Sequence, residues 1–294
     1  MTVFVRRTML MTPGNRQERL NKAADYPADA LVLDLEDSVP PEEKPAARAM
    51  VAEALAGLSA TDKELCIRIN GLDTPFGKDD LDAIPWSLAD SIMIPKVESP
   101  AQVHQLEQAL AEADGLQGRH GPLEFIVMLE TPRGILNAMA IADASDRSTA
   151  LFFGSGDYTS AMGAEIHPDV LQFPRSVVCA AAGAKRIQAI DAAYFLHVKD
   201  AQATYEDACI ARRYGFAGKV VFHPNQIEVV NDAFTPTEEQ LAAAREIVLA
   251  YEDARARGIG TMVVNGHFVA VDLVPPAQRL LARAERIKSH QETN

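Results

Sequence analysis

Eight short apolar segments, each followed by a stretch with helical spacing, constrain the fold of this 294-residue chain more than any other feature. The segments are too brief for typical helices and are bounded by Gly, Pro or polar residues, which is typical of strands buried on both faces. The predicted strands are Thr8–Met11, Ala30–Leu35, Leu65–Ile69, Ser91–Ile94, Leu123–Glu130, Ala150–Gly154, Tyr194–Val198 and Lys219–Phe222. Repeated β/α units of this kind predict an α/β fold, a (β/α)8 TIM barrel, with a doubly wound sheet as the alternative.

The last sixty residues break this alternation. A long amphipathic helix is predicted over 236–257, and Asn265-Gly266 between two apolar segments is a hairpin signal. A basic helix follows over 277–288. We therefore expect two domains: a barrel over 1–234, and a helical and hairpin region over 235–294 that forms a lid over its own barrel mouth or a neighbour's.

Charge and cysteine content narrow the functional classes. The chain has 28 basic and 41 acidic residues, a net charge of −13, which argues against nucleic-acid or anionic-membrane binding. Its three cysteines are scattered, which indicates a reducing compartment. Because the sequence shows neither a signal peptide nor a membrane-length apolar run, we expect a cytoplasmic protein.

Charged or imidazole side chains follow most of the predicted strands, at the barrel end where catalytic groups lie. Glu130 ends the fifth apolar segment, and Asp157 ends the segment that begins at Ala150. Two carboxylates at neighbouring strand ends predict a site for a divalent cation, most simply magnesium. The alternative is that both acids are ordinary solvated strand ends.

Two carboxylates cannot enclose magnesium, which takes six oxygen ligands, so open positions would accept substrate oxygens. A 2-oxo or 2-hydroxy acid could supply them, with Arg68 clamping its carboxylate. The turn around Gly156 could donate backbone N–H groups to the same acid, or it could be a plain bend. Glu36 and Asp37 would hold metal-bound waters, orient Arg68, or form a structural ion pair. This chemistry favours aldol or Claisen cleavage.

The chain resembles the citrate lyase β-subunit-like family, which includes malyl-CoA and citramalyl-CoA lyases and belongs with the magnesium-dependent HpcH/HpaI aldolases. The resemblance runs through nearly the whole chain in family order. The matching stretches are TPGNRQERLNKA (12–23), LVLDLEDSVPPEEKPAAR (31–48), IRINGLDT (67–74), IMIPKVES (92–99), LETPRG (129–134), FGSGDYTSAMG (153–163), GFAGKVVFHPNQ (215–226) and DAFTPTEEQ (232–240).

The resemblance implies a magnesium barrel, with Mn²⁺ as a possible substitute, that acts on a coenzyme A thioester as a homotrimer or a dimer of trimers. By motif, Glu130 and Asp157 fall on the family's metal ligands, Arg68 on its substrate-carboxylate arginine, Arg16 and Lys22 on its contacts to coenzyme A phosphates, and Glu36-Asp37 on its DLED signature. Together with the reasoning from the residues above, we expect Arg68, Gly156 and Asp157 to bind substrate and Arg68, Glu36 and Asp37 to be catalytic.

One departure concerns the family's C-terminal aspartate, which serves a neighbouring subunit's site. Ala270 stands in its register here, and Asp272 lies two residues later. The leading hypothesis is a lyase that splits a 3-hydroxyacyl-CoA, such as malyl-CoA or citramalyl-CoA, into acetyl-CoA and a 2-oxo acid. The alternatives are a citrate lyase β subunit using citryl-ACP or citryl-CoA, a malyl-CoA-type thioesterase, and a non-catalytic barrel that binds organic acids.

Overall fold

A computed structural model describes residues 4–112, 122–256, 262–264, 267–269 and 271–293. The chain divides into two compact units, Met1–Phe234 and Thr235–Asn294.

The first unit is a closed barrel of eight parallel strands in sequence order, so the predicted (β/α)8 fold is confirmed. Strand β8 pairs with β1 and closes the ring. The strands are β1 (Thr8–Pro13), β2 (Ala30–Asp34), β3 (Glu64–Arg68), β4 (Ser91–Ile94), β5 (Glu124–Leu129), β6 (Ser148–Phe153), β7 (Gln188–Asp191) and β8 (Gly218–Val221).

Helices connect successive strands, as parallel pairing requires. They are α1 (Gln17–Lys22), α2 (Lys44–Leu58), α3 (Gly77–Ala83), α4 (Pro100–Glu112), α5 (Pro132–Leu136), α6 (Ala138–Ala142), α7 (Ser155–Met162), α8 (Pro168–Lys185), α9 (Ala201–Tyr214) and α10 (Ile227–Phe234). The amphipathic spacing of α4 buries Val103, Leu106 and Leu110.

Alternation along the strands produces two apolar layers. Side chains such as Leu31 and Leu33 pack between the barrel and its helices. Their neighbours Ala30 and Val32 belong to a second cluster, inside the barrel, which also contains Met128. Strands covered on both sides in this way read as continuous apolar runs, which is why the sequence predicts most of them.

A buried ion cluster occupies the end at which the strands begin. Arg6 is 2% exposed and binds Glu64 through two hydrogen bonds, Nε to Oε2 at 2.6 Å and Nη2 to Oε1 at 2.8 Å. Its Nη2 also donates to Oε2 of Glu124 at 2.6 Å. Glu64 and Glu124 are the first residues of β3 and β5. One arginine therefore ties three segments together at this end of the barrel.

The seventh strand was predicted wrongly. The sequence predicted it at Tyr194–Val198, whereas β7 is Gln188–Asp191. Helix α8 ends at Lys185, where Arg186 adopts a left-handed conformation with φ of 61°, so the next strand starts earlier than expected. The pattern failed because β7 ends on a fully buried acid, Asp191, which pairs with Arg175 and Lys219.

The second unit contains α11 (Glu238–Ala256), an antiparallel pair of β9 (Met262–Val264) and β10 (His267–Val269), and α12 (Val274–Thr293). The pairing confirms the predicted hairpin, although its turn residues, 265 and 266, lie outside the described residues, as does Ala270. Asp272 is exposed in a 3-10 turn before α12. Within the described part of the chain, no helix is both long and apolar enough to cross a membrane.

Candidate active site

A cavity of about 540 Å³ lies where the barrel strands end. Its polar lining includes Arg68, Glu130 and Asp157, and its apolar lining includes Met128 and Phe152 from the barrel interior. The structure therefore brings the three central site residues predicted from sequence to one cavity.

Glu130 follows β5 directly and is 1% exposed. Its Oε1 accepts a hydrogen bond from the backbone N–H of Lys96 at 2.8 Å. Burial, together with the nearby carboxylates of Glu36 and Asp157, raises the pKa of the Glu130 carboxyl to about 8. The charge on this carboxylate is thus poorly compensated by the protein itself.

The structure places Asp157 in the first turn of α7, not at the end of β6 as its sequence position suggested. The strand ends at Phe153, and the chain enters the helix through Gly154. Asp157 is exposed and lines the same cavity as Glu130. In the first turn of a helix, the backbone N–H groups have no acceptor within the helix, so those around Gly156 favour an anionic ligand.

Gly154 makes close contact with the Glu130 side chain. A Cβ atom at position 154 would lie 2.5 Å from Cβ of Glu130 and 2.7 Å from its Oε2. Both distances are shorter than carbon–carbon and carbon–oxygen contacts allow. A glycine is required here so that the carboxylate can keep its position.

We expect Gly154→Ala to weaken magnesium binding by about tenfold or more, the effect typical of displacing a group that orients a metal ligand. The added methyl group must push the Glu130 carboxylate away from its present place. Titration calorimetry with Mg²⁺ measures the change. Gly183→Ala is the matched control, because a Cβ there meets no atom within 4 Å. Equal affinity in Gly154→Ala and wild type would contradict the steric argument.

Arg68 is held by an acid that the sequence analysis missed. Its Nε donates to Oδ1 of Asp34 at 2.6 Å and its Nη2 donates to Oδ2 at 2.8 Å. The two residues are register partners on β2 and β3. Although burial opposes ionisation, the guanidinium lowers the pKa of the Asp34 carboxyl. A lone acid inside the apolar run ALVLD was the signal that could have identified it.

Glu36 and Asp37 differ in their positions. Glu36 is 6% exposed, and its Oε2 lies 2.8 Å from Nη1 of Arg68. Its Oε1 accepts a hydrogen bond from Nζ of Lys96 at 2.7 Å. Asp37 lines the cavity and lies 3.2 Å from the same ammonium. Of the roles proposed from sequence, these contacts of Glu36 are compatible with orientation of Arg68 and with a structural ion pair.

A second cavity of about 530 Å³ adjoins the first, and Met11, Pro13, Arg19 and Phe222 line both. Lys22 lines the second cavity, as does Arg19, three residues earlier on α1 and therefore on the same helix face. Arg16 is exposed at the N-terminal cap of α1 and is not among the lining residues of either cavity. Arg19 was not among the site residues predicted from the sequence.

The donor set of the first cavity fits magnesium. Among the described residues, no cluster of three or more His, Cys, Asp or Glu side chains could hold a metal. Glu130 and Asp157 on the cavity lining could supply two carboxylate ligands, a donor set compatible with magnesium, which takes waters and substrate oxygens in its other positions. A cation bound there would favour the ionised form of Glu130, whose pKa is raised by burial and by the neighbouring carboxylates.

Comparisons with known proteins identify the family of this chain. The sequence profile of the HpcH/HpaI aldolase/citrate lyase family matches residues 7–224. The chain is 38% identical over 283 residues to the citrate lyase subunit beta of Leuconostoc mesenteroides subsp. cremoris, covering 95% of this chain and 93% of that protein. It is 33% identical over 305 residues to the L-malyl-CoA/beta-methylmalyl-CoA lyase of Cereibacter sphaeroides, covering 96% of each.

A solved structure is also similar: the protein CitE from Mycobacterium tuberculosis in complex with magnesium, acetoacetate and coenzyme A. It is 31% identical, with a TM-score of 0.76, and the match covers 96% of this chain and 98% of that one.

Proposed function

Because the chain belongs to the HpcH/HpaI aldolase/citrate lyase family, whose similar members are lyases, we propose that it is a magnesium-dependent lyase of 3-hydroxyacyl-CoA thioesters. It would cleave a substrate such as malyl-CoA or citramalyl-CoA into acetyl-CoA and a 2-oxo acid, or catalyse the reverse condensation. The observation that carries this proposal is the convergence of Glu130, Asp157 and Arg68 on one cavity.

The proposed reaction breaks the bond between C2 and C3 of the acyl group. The C3 hydroxyl loses its proton and becomes the carbonyl of the 2-oxo acid, while the bonding electrons pass to the thioester enolate, which then takes up a proton. Glu130 and Asp157 would hold the metal. When bound, magnesium supplies a Lewis acid for the oxygen on C3.

Arg68 would bind the carboxylate of the oxo-acid half through its remaining N–H donors. Asp34 fixes the guanidinium plane through two hydrogen bonds, and Glu36 lies against Nη1. Because this orientation exists before substrate arrives, little conformational entropy is lost on binding. Backbone N–H groups at the start of α7, around Gly156, would donate to the same acid.

Coenzyme A would occupy the second cavity, where Arg19 and Lys22 supply positive charge for its phosphates in a protein of net charge −13. The similar CitE structure contains coenzyme A together with magnesium, which supports a free coenzyme A thioester. The first cavity adjoins this one, so that a thioester could extend from one into the other.

The lining of the first cavity favours small acyl groups with one carboxylate. Among its described lining residues, the cations are Arg19 and Arg68, and Arg68 already contacts Asp34 and Glu36. A citryl group carries one more carboxylate than a malyl group, and it would bring that charge into a cavity whose lining includes the apolar side chains of Met128 and Phe152. The 38% identity to a citrate lyase subunit beta nevertheless makes citryl thioesters the second candidate substrates.

A thioester panel tests the proposal. Malyl, citramalyl and citryl thioesters of coenzyme A and of acyl carrier protein are incubated with the purified protein, with Mg²⁺ and with EDTA. We expect a 2-oxo acid and acetyl-CoA to form from malyl- or citramalyl-CoA, and activity to disappear with EDTA. Free hydroxy acid and coenzyme A would instead indicate a thioesterase, and binding without turnover would indicate a non-catalytic barrel.

A further inference from the structure

Lys96 has an unusual backbone conformation beside the proposed metal site. In the described chain, two non-glycine residues have positive φ, Lys96 at 52° and Arg186 at 61°. Arg186 ends helix α8, a position where this conformation is common. Lys96 follows strand β4 and ends no helix. The left-handed region is disfavoured for a residue with a Cβ atom, so the surrounding structure must hold Lys96 in it.

The left-handed turn directs the backbone N–H of Lys96 to Glu130. That N–H donates to Oε1 of Glu130 at 2.8 Å. The N–H of the next residue, Val97, donates to the carbonyl of Met128 on β5 at 3.1 Å. Strand β4 has ended at Ile94, and the residue with the left-handed backbone is the one that bonds the carboxylate.

The ammonium group of the same residue reaches the acids beside Arg68. Its Nζ donates to Oε1 of Glu36 at 2.7 Å and to Oδ1 of Asp37 at 3.2 Å. The other oxygen of Glu36 lies 2.8 Å from Nη1 of Arg68. Lys96 thus contacts Glu130, the candidate metal ligand, through its backbone N–H. Through its ammonium it contacts Glu36 and Asp37, the acids beside Arg68.

We propose that Lys96 is a positioning residue that aligns the two halves of the active site. Its backbone fixes the Glu130 carboxylate for magnesium. Its ammonium draws Glu36 toward itself, so that Glu36 competes less strongly with substrate for Nη1 of Arg68. This inference rests on the proposed lyase function, in which Glu130 binds the metal and Arg68 binds the oxo acid.

A purely structural role explains Lys96 poorly. Its side chain is 46% exposed, and ion pairs at that exposure contribute little to stability. A glycine would adopt the same backbone conformation without steric cost. A conformation that is costly and yields little stability is typical of functional sites.

Two substitutions separate the backbone contribution from that of the ammonium. Lys96→Gly removes the ammonium and accepts positive φ, whereas Lys96→Val also disfavours positive φ through its β-branched side chain. Lys78→Ala is the control, because Lys78 also pairs with a carboxylate, that of Asp82, on the protein surface. Each protein is measured by Mg²⁺ titration calorimetry, by steady-state kinetics with the best thioester of the panel, and by thermal unfolding.

We expect Lys96→Val to weaken magnesium binding by about tenfold or more, as expected for a group that orients a metal ligand. Lys96→Gly should bind magnesium at least as tightly as wild type, because a cation near the site is lost. It should raise the KM for the thioester by about tenfold, the effect of one weakened charge-assisted hydrogen bond.

The outcomes distinguish this inference from the proposed function. If wild type binds magnesium and cleaves a thioester, but Lys96→Val binds magnesium equally well, the backbone role is overturned. An unchanged KM in Lys96→Gly overturns the ammonium role. A wild-type protein that binds no magnesium overturns the proposed function and the role of Lys96 with it. Should Lys96→Val fail to fold, Lys96→Ala provides the same comparison with a smaller side chain.

Discussion

Glu130→Gln is expected to lower kcat/KM for the thioester by about three orders of magnitude. A metal contributes several kcal/mol of charge stabilisation in the transition state, and each 1.36 kcal/mol corresponds to about a factor of ten in rate. The substitution replaces a buried carboxylate by a neutral amide of the same size. Its amide oxygen can still accept the hydrogen bond that Lys96 now donates to Oε1.

The measurement combines steady-state kinetics, Mg²⁺ titration calorimetry and thermal unfolding. We expect loss of magnesium binding with a melting temperature no lower than that of wild type, because a desolvated carboxylate with a raised pKa is removed. Glu53→Gln on the exposed face of α2 is the control for removal of one negative charge. Magnesium-dependent cleavage that persists at wild-type rate in Glu130→Gln would exclude Glu130 as a metal ligand.

Arg6→Met is expected to have the largest effect on stability. It removes the cation that binds Glu64 and Glu124 at the opposite end of the strands from the active site. Breaking a buried ion pair by deleting one partner costs about 3–5 kcal/mol, since the remaining charges stay buried without compensation. For a chain of this length that corresponds to a fall in melting temperature of roughly 10 °C.

Calorimetric or spectroscopic thermal unfolding at fixed Mg²⁺ concentration measures this change. The folded fraction of Arg6→Met should keep the wild-type KM, because residue 6 lies at the end of the barrel where the strands begin. Active sites of such barrels lie at the other end. Lys78→Ala, which removes an exposed cation, is the control and should shift the melting temperature little. A melting temperature equal to that of wild type would show that the Arg6 cluster is not stabilising.

Local sequence identified the features that depend on neighbouring residues along the chain. Continuous apolar runs that alternate along the chain with segments of helical spacing predicted the barrel. Each strand is covered on both faces, and each helix is covered on one. Glu130 was identified because it ends an apolar run and Arg68 because it lies near the end of another, and such ends meet at one edge of a parallel barrel. The error at β7 arose where this rule failed, because Asp191 is a charged residue inside the strand layer.

Contacts between distant segments had no local signature. The pairing of Asp34 with Arg68 depends on the register of two neighbouring strands, and the displacement of Asp157 into α7 depends on where β6 stops. The N–H and the ammonium of Lys96 contact Glu130 and Glu36, which lie 34 and 60 residues away along the chain.

The sequence by itself determined that this chain forms a β/α barrel with acids and an arginine at one end, because periodicity and strand ends are local properties. The tertiary structure alone decided which groups surround those residues. Ion pairs and steric contacts such as that of Gly154 with Glu130 join positions far apart in sequence, and their existence depends on distances that only the closed barrel sets.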